Sequence, residues 1–268
     1  MVLRKVMLDE MTWREAAERL KETDIAFLPT GTIEGHGPIP LGCDYYVATA
    51  VAVLMAEKSG GVALPPLTYN FTGATTSYPG TVTVSFESQI SILKDIVRSL
   101  WRQGFKRIFI ISIHGPNIMP VGIVVRSLFE EERIPVVYLN PFNTAVKIIR
   151  EMKLDVDEAW IEATLAFGAL KVLGKEHVIP DLKSFKDRYA EAEGKALPEV
   201  IRKVQRYGMV GYHFTHELQH QPPRSGIDPD FGVKLLNKVA DDLLPVVDHL
   251  KEYLEYTRKP FQFVKPES

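Results

Sequence analysis

Cysteine is nearly absent from this sequence. Cys43 is the single one in 268 residues, which excludes an intramolecular disulfide framework and fits a reducing cytoplasm. A charge surplus of either sign is also missing, since 32 basic residues against 34 acidic ones leave a net charge of -2. Nucleic-acid and anionic-membrane partners call for a basic excess, so neither is expected. Long apolar runs are lacking too: the most apolar stretch, 47–56, is about half the length a bilayer span needs. Arg4, Lys5, Asp9 and Glu10 precede any apolar segment, unlike a secretory signal. The chain is therefore read as soluble and cytoplasmic. Without repeats, low-complexity tracts or Gly/Ser linkers, 1–268 is read as one domain, and its 46% apolar and 25% charged residues are those of an ordinary globular protein.

What is present is an alternation of strand and helix patterns. The apolar run 24–29 ends in Pro29 and reads as a buried strand. A helix is expected over 45–58, stopped by Ser59-Gly60-Gly61, and a second strand over 62–67. Ile90, Leu93, Ile96, Val97, Leu100 and Trp101 repeat at helical spacing, which predicts a helix over 86–103 with Ser85 as cap and Gly104 as stop. The stretch 107–113 is almost wholly apolar and β-branched, as in a strand covered on both faces. A helix over 119–131, a strand over 135–139 and one long amphipathic helix over 232–256 complete the pattern. The expected fold is α/β, a mostly parallel sheet flanked by helices on both faces, with ligands bound beyond the carboxyl ends of the strands.

Two polar clusters fall at such ends. After the first strand come Glu34, His36 and Asp44, spaced by Gly and Pro. These are donors suited to Zn, Mn or Fe, and residues two apart on an extended segment face one side. The alternative is a turn of solvated polar residues. After the central strand comes His114-Gly115-Pro116-Asn117, which puts His114 at the rim of the sheet. A third feature, His216-Glu217-Leu218-Gln219-His220, has the His-Glu-x-x-His form of zinc metalloproteases. That pattern works only on a helix, and Pro222-Pro223 leaves room for little helix. With His213 nearby, the segment is read as a loop over the site; a separate zinc site and a solvated loop remain open.

From about Asp24 to Asn140 the chain resembles the creatininase (creatinine amidohydrolase) family. Residues 34–44 follow the family's Glu-x-His-Gly-Pro-His-Leu-Pro-x-Gly-x-Asp motif with one residue missing. Tyr78-Pro79-Gly80-Thr81, a helix, Gly104-Phe105, a strand and His114-Gly115-Pro116-Asn117 follow its second stretch in order and spacing. The resemblance implies a creatininase-like three-layer architecture and two divalent metal ions held by Glu34, His36, Asp44 and His114, with Asp44 bridging. It places a further carboxylate at Glu162, which is equally compatible with a solvated helix position. It also implies a homo-oligomer, often a hexamer, for which the exposed-looking aromatics Trp13, Tyr253 and Phe261 give indirect support.

Departures from the family pattern lie around the metal set. The second histidine of the first motif is absent, Thr75 replaces a histidine before Tyr78, and Asp157 replaces the histidine that opens the later helix motif. Asp157, His213 and His216 are therefore the candidates for proton transfer, and Tyr78, Asn117 and Arg224 for substrate contacts. The expected function is a metal-dependent hydrolase in which activated water attacks the carbonyl of a small polar substrate other than creatinine, breaking an amide C–N bond. One alternative is C–C hydrolysis of a cyclic diketone such as a diketo-inositol. Another, of a different class, is a metal-stabilised ligand-binding protein without catalysis.

Overall fold

The computed structural model describes residues 5–259 except 185, 187, 189, 190, 192–196 and 223. The elements in chain order are α1 (Trp13–Glu22), β1 (Ile25–Pro29), α2 (Cys43–Ser59), β2 (Val62–Ala63), α3 (Phe86–Gln103), β3 (Arg107–Ile111), α4 (Ile118–Glu132), β4 (Val136–Leu139), α5 (Pro141–Glu151), α6 (Glu158–Val172), α7 (Glu199–Gln205), α8 (Pro229–Leu243) and α9 (Val246–Tyr256). The four strands pair in parallel in the order β2-β1-β3-β4. Strand alternation separates two cores. Ile25 and Phe27 of β1 and Phe109 and Ile111 of β3 pack against α2, α5, α6, α8 and α9. Ala26, Leu28, Ile108 and Ile110 face α3 and α4 on the other side. This is the expected three-layer α/β arrangement, with apolar strands buried on both faces.

Two expectations are corrected. The strand foreseen over 62–67 is only two residues long, because Pro65 and Pro66 have no N–H for the ladder. Leu67 nevertheless reaches back to the sheet, donating to the Pro29 carbonyl at 3.0 Å. The single C-terminal helix is instead α8 and α9, broken at Leu244-Pro245, since proline removes a helical hydrogen bond and disfavours helix before it. Other boundaries differ little, but α2 begins at Cys43, two residues earlier than expected, and so takes Asp44 into its first turn. Trp13 and Tyr253 are exposed; Phe261 lies outside the described residues. Among the described residues no helix is long and apolar enough to cross a membrane.

The strand order reverses direction at β1. The chain goes outward from β1 to β2, then crosses back to β3 on the other side, so the loops after β1 and β3 diverge at their carboxyl ends. A crevice forms at such a switch point. Residues 30–44 leave β1 there and 112–117 leave β3 there, so both polar clusters meet at one place.

Candidate metal centre

The segment after β1 folds back on itself. Glu34 N–H donates to the Leu41 carbonyl at 3.0 Å, and Ile39 N–H donates to the His36 carbonyl at 3.0 Å. Cys43 N–H donates to Pro40 at 2.9 Å and leads into α2. The reversal returns Asp44 to the side of Glu34 and His36, in a first helical turn whose dipole favours a carboxylate. From β3, the Ser112 hydroxyl accepts from His114 N–H at 3.2 Å and from the Asn117 amide at 2.9 Å, fixing the exit of that strand. Helix α6 is buried along 161–170 and carries Glu162 into the crevice from the opposite side.

Five donor side chains converge, each at most 8% exposed. His114 Nδ1 is 3.0 Å from Glu34 Oε1 and 3.0 Å from Asp44 Oδ2. His36 Nε2 is 3.4 Å from Glu34 Oε1, 3.5 Å from Asp44 Oδ1 and 3.2 Å from Glu162 Oε1. The other nitrogen of each ring faces a backbone carbonyl: His114 Nε2 lies 2.9 Å from Phe71 O, and His36 Nδ1 lies 3.1 Å from Glu34 O. Donating there sets the tautomer and aims each remaining lone pair at the carboxylates, the arrangement typical of ligating histidines. Thr75 and Thr32 donate short hydrogen bonds to Glu34 and Asp44.

The electrostatics call for a cation. Three buried carboxylates share this volume, and among the described residues their only ion-pair partners are the two imidazoles. Burial alone lowers the pKa of His114, but the Asp44 and Glu34 carboxylates outweigh it and push it up to about 10. His36 is likewise raised, burial being outweighed by Asp44 and Glu162. Burial raises Glu162, as expected where carboxylates crowd together. The alternative source of positive charge is divalent metal. Bonds of about 2.0–2.1 Å to a tetrahedral ion put neighbouring donors about 3.3 Å apart, close to the spacings seen here. Ligating atoms fall into overlapping groups, Glu34–Asp44–His114 and His36–Cys43–Asp44–Glu162, each within 4.8 Å. Asp44 belongs to both. Donor chemistry, spacing and oriented rings all fit a metal pair.

Comparison with known proteins places the chain in a family. The sequence pattern of the creatininase family, creatinine amidohydrolase, matches residues 9–175. The chain belongs to the creatininase family. Over 137 residues it is 29% identical to the 3-dehydro-scyllo-inosose hydrolase of Thermotoga maritima, covering 50% of this chain and 44% of that one. Over 123 residues it is 30% identical to the creatinine amidohydrolase of Pseudomonas putida, covering 43% and 47%. The matched segment thus spans about half the length of these curated relatives. A solved creatininase described with Mn shares the fold at TM-score 0.69 and 20% identity, over 94% of this chain and 99% of that one.

Beside the cluster lies a cavity of about 370 Å³, lined by Glu34, His36, Asp44, His114 and Glu162 and walled by Thr72, Asn140, Asn143, Glu158, Tyr212, Phe214 and His220. Most of the wall carries no sequence motif, because its residues come from the turn at Thr72, the cap and first turn of α5, the start of α6 and the 212–221 loop.

The remaining predicted residues stand elsewhere. Asp157 caps α6, accepting from Trp160 N–H at 2.9 Å, and pairs with Arg224 at 3.1 Å. Tyr78 donates to the His216 carbonyl at 2.9 Å, and Asn117 accepts from Gln89 at 2.6 Å. His213 is exposed, and the His216 ring accepts from Leu218 N–H at 3.2 Å. None of these six lines the cavity. Thr75, noted in the sequence only as a missing histidine, holds Glu34 instead. Replacing it with valine is expected to weaken metal binding about 10–100-fold, read by competition with a chromophoric chelator; unchanged affinity would remove Thr75 from the site.

Proposed function

We propose that the chain is a metal-dependent hydrolase acting on the carbonyl of a small polar substrate. The observation that carries this reading is the convergence of Glu34, His36, Asp44, His114 and Glu162, with both imidazoles oriented by backbone carbonyls, at the floor of the cavity. Glu34, Asp44 and His114 would hold one ion, and His36, Asp44 and Glu162 the second. Zn, Mn and Fe suit this donor set of imidazole and carboxylate. When bound, such a pair supplies a water acidified toward neutrality and a Lewis acid for the substrate carbonyl.

The chain's own residues supply the rest. Thr32 and Thr75 keep the Asp44 and Glu34 carboxylates in place. Asn140, Asn143 and Tyr212 offer hydrogen bonds to a hydroxyl- or amide-bearing substrate, and Phe214 gives it one apolar wall. In amide hydrolysis water adds to the carbonyl carbon, the C–N bond breaks, and the leaving nitrogen takes a proton. Glu158 is placed to move that proton, as a titratable wall residue outside the ligand set. It takes the part for which Asp157, His213 and His216 were the sequence candidates. Glu158→Gln is expected to lower turnover about 10²-fold or more with metal content unchanged; full turnover would return the role to those three.

A second reading, C–C hydrolysis of a cyclic polyhydroxy ketone, is favoured by the polar wall and by the similarity to the inosose hydrolase. The deciding experiment measures metal by elemental mass spectrometry on untagged protein, then offers creatinine, lactams, formamides and a diketo-inositol. Metal near two ions per chain with ring opening or deformylation supports the hydrolase. Metal without any turnover supports a binding protein, and absence of metal overturns the site.

A further inference from the structure

The histidine pair His216 and His220 has the spacing of a zinc-binding helix, but its backbone is a three-residue 3-10 turn, Glu217–Gln219. The two rings therefore diverge. His216 is engaged in closing the turn: its ring accepts from Leu218 N–H, and the Gln219 side chain accepts from His216 N–H at 3.0 Å. His220 enters the cavity. Its ring stacks on Phe214 with centroids 5.4 Å apart and planes at 16°, and it lies 5.0 Å from the His36 ring. Its Nε2 is sealed from solvent and has no hydrogen-bond partner.

The loop carrying His220 is docked onto the metal segment. Phe214 N–H donates to the Ala74 carbonyl at 2.9 Å, and the Ser77 hydroxyl donates to the Phe214 carbonyl at 2.6 Å. Tyr78 donates to the His216 carbonyl at 2.9 Å. Gly37, at φ 55°, lies beneath the Gln221 carbonyl, and a Cβ there would come within 1.9 Å of that oxygen. Gln221 itself adopts φ 49° and donates a short hydrogen bond to Glu162. Contacts at residues 214, 216 and 221 put His220 where it stands.

We infer that His220 is an additional metal ligand, delivered by the 212–221 loop to the side of the centre built by His36. This rests on the binuclear reading above. The ligating atoms of Glu34, His36 and His220 lie within 4.8 Å of one another. A buried imidazole nitrogen without a partner is desolvated with nothing to compensate it, and an ion held by Glu34 or His36 is the partner this position lacks. Ligation ties loop closure to metal occupancy: the wall that carries Tyr212 and Phe214 is anchored when the ion is bound.

The test uses the full chain, stripped by chelation and titrated with Zn²⁺ against a chromophoric chelator, then with Co²⁺ for its visible spectrum. Asp44→Ala and the exposed His177→Gln run alongside. Oriented partners of ligands are worth about 10–100-fold in affinity, so His220→Gln is expected to weaken one ion on the order of 100-fold. The other ion stays at the wild-type value, and the Co²⁺ spectrum changes with loss of an imidazole. Two ions bound by His220→Gln as tightly as by His177→Gln would overturn the assignment, with the centre itself intact if Asp44→Ala loses metal. Equal weakening of both ions with a lower melting temperature of the stripped protein would also overturn it, making His220 a packing residue. Undiminished binding in Asp44→Ala would sink the binuclear reading, and the inference with it.

Discussion

Replacing Asp44 with alanine is expected to leave the chain without stably bound metal and to cut turnover at least ~10³-fold, about 4 kcal/mol of transition-state stabilisation. The expectation follows from its position. Asp44 is 1% exposed and belongs to both groups of ligating atoms. One oxygen lies 3.5 Å from His36 and the other 3.0 Å from His114. Its pKa is held well below the usual carboxylate range: burial works against this, but the His36 and His114 imidazoles outweigh it. Removing the side chain deletes a donor from each metal position and leaves both imidazoles one carboxylate short. Elemental mass spectrometry reads the metal and the substrate panel reads the turnover. A folded Asp44→Ala protein with full metal content and full activity would end the proposal.

The second large effect is expected far from the metal. Helices α6 and α8 touch backbone to backbone through Gly168 and Gly232. A Cβ on Gly168 would come within 2.3 Å of the Gly232 carbonyl carbon, and one on Gly232 within 2.2 Å of the Thr164 carbonyl oxygen. Neither neighbour is a side chain that could rotate away. Gly168→Ala must therefore push the helices apart, at a cost of about 3 kcal/mol. For a chain of this size that lowers the melting temperature by roughly 6–12 °C. The same movement displaces Glu162, which lies on α6 between this crossing and the helix start. Weaker metal binding should accompany the lower melting temperature. Both are measured on one preparation, by circular dichroism and by chelator competition; an unchanged melting curve would show that the crossing relaxes without cost.

The sequence by itself determined the architecture and the polar cluster of Glu34, His36, Asp44 and His114, because both are written in local patterns. Apolar runs such as 107–113 can be satisfied only by burial on both faces, and a chain that alternates them with amphipathic helices builds a parallel sheet. Glu34, His36 and Asp44 lie within eleven residues, and His114 ends a strand, so each was visible beside its own secondary structure. The break at Pro245 was not read, because the apolar periodicity running through 232–256 hid the missing N–H. Asp157 shows the limit of a motif. Its position relative to Glu162 suggested proton transfer, whereas its carboxylate caps the helix on which Glu162 rides.

Tertiary structure alone decided what surrounds the ligands. Whether His216 or His220 enters the cavity depends on a 3-10 turn and on docking to Ala74, Ser77 and Gly37, over a hundred residues earlier in the chain. The walls from Asn140 and Tyr212, and the Thr75 hydroxyl that holds Glu34, are likewise contacts between segments distant in sequence. Such contacts leave no periodicity or spacing to read, since they follow from how helices and loops settle on the sheet.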